Sequence, residues 1–159
     1  MSIEQPIRVT LEQEEGYAFR IRFDDSALEP LLSDETAPLG EGRGPNPSRI
    51  LLAAIANCLS ASLLFALRKY KNAPGPLHAE ITATPMRNAE GHWRIPQAFV
   101  EIHLAEGGET HAQLDRILAQ FEEFCLVTQS VREGIDVEVT VKDMHGRVLL
   151  GDKSFEAGA

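Results

Sequence analysis

The sequence predicts an α+β domain: antiparallel strands arranged around one long apolar helix. Three observations carry that reading. Residues 50–67 hold no charged side chain, in a chain that is otherwise 25% charged. Alternating apolar and polar residues mark strands on both sides of this segment. Turn-forming glycine, proline and asparagine separate the pieces. The length of 159 residues suits a single domain, 1–159, with a real core.

N-terminal strands are expected within residues 6–34. Ile7 to Leu11 alternates, and Phe19 to Phe23 puts Phe19, Ile21 and Phe23 on one face and Arg20 and Arg22 on the other. Glu14, Glu15 and Gly16 read as the hairpin turn between them, and residues 30–34 as a third short strand. Residues 38–47, rich in Gly and Pro, read as a flexible surface loop. Its Gly40-Glu41-Gly42-Arg43-Gly44 run lacks the Lys-Ser/Thr of a phosphate loop and the spacing of a dinucleotide fingerprint.

Asn46-Pro47 marks the start of the central helix, expected over residues 47–71. Asn46 is a favoured N-cap, and proline at the first helical position loses nothing by lacking an N–H. Arg68, Lys69 and Lys71 suit the negative end of the helix dipole, and Pro74 stops the run. Such a helix is roughly 37 Å long. Its length admits a membrane span, but Asn57, Ser60 and Ser62 sit mid-segment and the rest of the chain is acidic and polar. A helix buried on all sides is the better reading. A small sheet covers only one face of it, so a second copy of the chain is the economical cover for the other. Ala53, Ala54, Ala56, Ser60 and Ala61 would allow two such helices a close approach.

Downstream, strands are expected within 78–104, divided by a turn at residues 88–91. A helix follows over 110–124, with Leu114, Ile117, Leu118 and Phe121 in one stripe. Next come a short helix over 126–133, closed by Gly134, and a strand over 135–142 with period-two alternation. Residues 153–159 read as a frayed tail.

Function classes are bounded by charge and motif. A net charge of −9 without a basic tract argues against nucleic acid and anionic membranes as partners. Residues 1–11 include Glu4 and Arg8 and no apolar run, unlike a secretory leader, which points to the cytoplasm. The histidines 78, 92, 103, 111 and 145 are scattered without ligand spacing, so no metal or cofactor is expected. No GxSxG elbow supports serine-hydrolase chemistry. The two cysteines, Cys58 and Cys125, form neither a CxxC motif nor a secreted disulfide framework. Two readings of them stand open: buried structural thiols, or a reactive pair.

Two strings favour the second reading. Residues 44–59, GPNPSRILLAAIANCL, and residues 125–137, CLVTQSVREGIDV, together resemble the OsmC/Ohr family of osmotically inducible and organic-hydroperoxide-resistance proteins. That family pairs a helix that opens on Asn-Pro and carries a cysteine further along with a later Cys-x-x-Ser/Thr helix and a closing strand. The element order also resembles it over nearly the whole chain. The resemblance implies an intertwined homodimer with sheets wrapped around two central helices, and active sites at the interface. It implies that Cys58 attacks an organic hydroperoxide as a thiolate, that Cys125 resolves the product to a disulfide, and that a dithiol reductant restores the pair.

Cys58 lies mid-helix, away from the dipole's positive end, so a neighbouring cation is expected to activate it. The family's peroxidases keep a carboxylate directly after Asn-Pro that orients a loop arginine, whereas this chain has Ser48 there, followed by Arg49. By spacing, Pro38 and Leu39 occupy the arginine's place; Arg43 is the nearest substitute, with Arg20 and Arg22 more remote. The departure motivates an alternative: a non-catalytic protein of the same fold that binds an apolar small molecule at the dimer interface.

Overall fold

A computed structural model describes residues 5–135 and 137–153. The architecture is α+β, with one long helix and antiparallel sheets. The chain divides into two compact units, Met1–Ala56 with Glu80–Val100, and Asn57–Ala79 with Glu101–Ala159.

The first unit is built on a sheet of order β1-β2-β3: β1 (Val9–Glu15), β2 (Ala18–Phe23) and β3 (Leu31–Ser33). Val9 pairs with Phe23 and Phe19 with Ser33. Ala18 and Ile21 are buried. β1 runs four residues beyond the expected Leu11, into the polar Glu12 to Glu15. Cross-strand ion pairs explain the extension: Arg20 Nε lies 2.6 Å from Glu14 Oε1, and Arg22 Nη2 lies 3.3 Å from Glu12 Oε2.

The connection to the helix is ordered, not the free surface loop expected. Asp34, 2% exposed, accepts the backbone N–H groups of Glu41 and Arg43, each at 3.1 Å. A Cβ on Gly44 would collide with the Leu32 carbonyl, so this close approach requires glycine. Asn46 then caps α1 (Pro47–Lys69), its Oδ1 accepting the Arg49 N–H at 3.1 Å. α1 ends two residues short of the expected Lys71. Lys71 adopts a left-handed φ of 62°, and the Asn72 side chain takes over the Leu67 carbonyl at 3.2 Å.

The expected strands within 78–104 are split: β4 (His78–Ala83), β5 (Met86–Arg87), β6 (Trp93–Arg94) and β7 (Ala98–His103). Pro85 and Pro96 interrupt them, since neither can donate to a ladder. β4 pairs with β7, and β5 with β6 through a turn in which Asn88 Oδ1 accepts the N–H groups of Glu90 and His92.

In the second unit, Leu63 and Leu67 of α1 pack with Ile117, backed by Tyr70, Ile102, Leu104 and Phe121. By length and composition α1 could cross a membrane, yet its Leu59, Leu63 and Leu67 are buried in protein. The helix expected over 110–124 is broken into a 3-10 turn (Gly108–Thr110), α2 (Leu114–Gln120) and a second 3-10 turn (Phe121–Phe124). Gln113 has a left-handed φ of 58°, and Asn72 holds both the N–H and the carbonyl of Ala112, which together force the break. In the expected stripe, Ile117 is buried while Leu118 is exposed.

α3 (Leu126–Glu133) follows directly and ends at Gly134, with φ 74°. The last strand begins later than expected, at β8 (Val139–Lys142); Ile135 and Val137 are exposed outside it and Asp136 lies outside the described residues. β8 pairs with β9 (Val148–Lys153) through a turn closed on Asp143 Oδ1. β9 has no alternating pattern that announces it. Of the expected tail, Lys153 belongs to β9 and residues 154–159 lie outside the described part.

Candidate active site: a thiol pair at the start of a helix

The second unit brings Cys58 and Cys125 close enough for each to perturb the other's ionisation. Both are free thiols. Cys58 sits on α1 and is half-buried; Cys125 is the N-cap residue of α3 and is 0% exposed. Their exposure therefore differs although they stand in one cluster.

Around Cys125 the polar contacts accumulate. Its Sγ is hydrogen-bonded to Thr128 Oγ1 at 3.1 Å, and Thr128 is itself buried, 6% exposed. The thiol donates in that bond when protonated; the hydroxyl donates to a thiolate. Ser62 also lies near Cys125 and favours its charged form. Ser62 lies four residues after Cys58, so one face of α1 presents both to the same place. The Cys125 side chain closes no cap hydrogen bond of its own. The Thr128 N–H, one of the orphan donors of the first helical turn, still favours negative charge on that sulfur.

These contacts split the pair. Burial pushes the Cys58 thiol up, and the hydrogen bond to Cys125 pushes the same way, against the N–H groups of Val127 and Thr128. Burial also pushes on Cys125, but hydrogen bonds from Cys58, Thr128 and Ser62 bring it below the ordinary thiol value. The donors that favour negative charge therefore gather at Cys125 more than at Cys58.

Arg43, the expected activator, is engaged elsewhere in its own unit: Nε lies 3.7 Å from Asp34 Oδ2 and 3.7 Å from Glu41 Oε2. Arg20 and Arg22 are paired with Glu14 and Glu12. In the sequence Ser62 is visible only as a polar residue within an apolar run, and Thr128 as the last residue of the Cys-x-x-Ser/Thr motif. Their signal is spacing, one helical turn beyond each cysteine. Among the described residues, no group of three or more His, Cys, Asp or Glu could hold a metal ion.

The first unit holds a separate feature, an apolar groove of about 600 Å³ lined by Leu11, Tyr17, Phe19, Ile21, Leu51 and Ala54, among others.

A family model described as OsmC-like protein matches residues 40–140. A search of curated proteins finds no match. Solved structures with the same fold include an OsmC-like protein from Mycoplasma pneumoniae, 14% identical over 82% of this chain and 89% of that one, with a TM-score of 0.64. An organic hydroperoxide resistance protein OsmC from Legionella pneumophila is 15% identical over 81% and 92%, with a TM-score of 0.62. A Vibrio cholerae protein, described as an organic hydroperoxide resistance protein with captopril bound in one of its active sites, is 21% identical over 94% and 99%, with a TM-score of 0.63.

Proposed function

The chain belongs to the OsmC-like protein family, and from that premise we propose that it is a thiol-dependent reductase of organic hydroperoxides acting in oxidative-stress defence. The observation that carries the reading is the meeting of two free thiols, distant in sequence, in one cluster at the start of α3. Cys58, the more accessible sulfur, attacks the terminal peroxide oxygen as a thiolate. An S–O bond forms, the O–O bond breaks, and the alkoxide leaves and takes a proton. Cys125 then displaces hydroxide from the Cys58 sulfenic acid, giving the disulfide and, with a proton, water. A dithiol returns two electrons and two protons to the pair.

Activation is the demanding part. Cys58 has to lose its proton against burial. The N–H groups of Val127 and Thr128 are the donors that favour the charge in this cluster, and they take the role expected of Arg43. Arg43 in this reading holds the Asp34 loop together.

The family match runs through both units, and we place the whole chain in one functional domain that works as a cytoplasmic homodimer. Support for pairing comes from apolar surface on the single chain: Phe65 of α1 is 66% exposed, and Leu51, Val139, Val141, Val148 and Leu149 are exposed as well.

A second reading has its own support. The raised Cys58 thiol and the apolar groove beside Leu51 both fit a non-catalytic protein that binds an apolar small molecule. One variant separates the two. Cys58→Ser is expected to abolish consumption of cumene hydroperoxide by the purified protein with a dithiol reductant. Undiminished consumption would sink the peroxidase reading, and no consumption by the wild type would favour the binding reading.

A further inference from the structure

We propose that Thr128 and Ser62 are positioning residues for the reductive half of the cycle: they stabilise Cys125 as the leaving thiolate when a dithiol reductant attacks the Cys58–Cys125 disulfide at Cys58. The proposal rests on the disulfide that the peroxidase reading generates, but not on peroxide as its source.

Geometry decides which sulfur is attacked. Cys125 is 0% exposed, while Cys58 is half-buried and is the sulfur an external thiolate can reach. Attack at Cys58 forms a new S–S bond between the reductant and Cys58 Sγ. The Cys58–Cys125 bond breaks, and its electron pair goes to Cys125 Sγ. The reductant's second thiol, losing its proton, then attacks the reductant's own first sulfur. Cys58 leaves as a thiolate, the reductant closes to a cyclic disulfide, and the dithiol's two protons end on Cys58 and Cys125.

The rate of such an exchange rises as the leaving thiol becomes more acidic. A buried sulfur with no donors would be a poor leaving group, because desolvation opposes its charge. Here the donors are built in. Thr128 Oγ1 sits 3.1 Å from Cys125 Sγ and is buried with it, and Ser62 reaches the same sulfur from α1. Both gather at the buried sulfur, which takes up the electron pair when the disulfide opens. The lowered Cys125 thiol is consistent with this arrangement.

The test starts from protein oxidised with diamide, so that it does not depend on peroxide turnover. A short exposure to glutathione followed by acid quench and peptide mapping should place glutathione on Cys58 and leave Cys125 free; glutathione mainly on Cys125 would overturn the proposal. Reduction by dithiothreitol should slow about tenfold in Thr128→Val, which keeps the shape and removes the hydroxyl, with rescue to within about twofold in Thr128→Ser. Ser62→Ala should slow it by a smaller factor. Thr128→Val should also move the pH midpoint of Cys125 ionisation, measured in a Cys58→Ser background, to higher pH. An unchanged reduction rate and midpoint in Thr128→Val would overturn the positioning role, as would loss of rate in Thr128→Ser equal to that in Thr128→Val. A chain that shows all the expected exchange behaviour yet consumes no hydroperoxide would refute the peroxidase reading alone.

Discussion

The Arg43 loop and the start of α3 are two places where this chain concentrates positive potential, and they spend it differently. In the loop a full guanidinium charge stands beside two carboxylates, Asp34 and Glu41. Its field is answered locally, and it adds to the backbone N–H groups of Arg43 and Glu41, which hold Asp34 ionised and the loop closed. At the start of α3 the groups that favour charge on the thiols are the N–H groups of the first turn and the hydroxyls of Thr128 and Ser62. Those dipoles face a sulfur shut off from solvent, where a partial charge counts for more than in water.

The largest effect that would sharpen this contrast is on Cys58. Because its proton is held above the ordinary thiol range, the thiolate fraction is small near neutrality and grows on the alkaline side. The rate of Cys58 alkylation by iodoacetamide in Cys125-intact protein should rise more than about tenfold from pH 7 to 9.5, with a midpoint above the free-thiol value of about 8.5. A midpoint well below that value would place an uncompensated cation at Cys58 and break the contrast.

A smaller effect belongs to the loop. The backbone N–H of Arg43, together with that of Glu41 and the Arg43 charge, holds the Asp34 carboxyl below the usual range against the pull of burial. A carboxyl depressed in the folded state stabilises the fold above its unfolded value and loses that contribution as pH falls through the folded one. Asp34→Asn should therefore lower Tm at pH 7, and the gap to wild type should narrow as pH falls below about 4. Thermal melts at both pH values read this directly, and an equal gap at both would contradict the electrostatic account of the loop.

Legibility in the sequence followed the kind of interaction involved. α1 announced itself because capping by Asn46 and an unbroken apolar run are local properties. β1 was read too short because its second half is held by ion pairs across the hairpin, which hydrophobic alternation does not register. The break at Gln113 depends on Asn72, forty residues earlier in the chain, and the closing of the Asp34 loop on its own backbone left no periodic trace. At the site, the two cysteines stood out through their motifs. Thr128 was part of one of those motifs, but its contact with Cys125 is a matter of three-dimensional placement. Arg43 drew attention as a charge, and the structure shows that charge to be already engaged.

The most direct test of where the potential acts is a titration of thiolate absorbance near 240 nm in the reduced protein, comparing wild type, Arg43→Ala and Thr128→Val. The expected result is a first ionisation unmoved by Arg43→Ala and raised by about one pH unit in Thr128→Val. A first ionisation raised by Arg43→Ala and untouched by Thr128→Val would contradict the assignment of thiolate stabilisation to the start of α3.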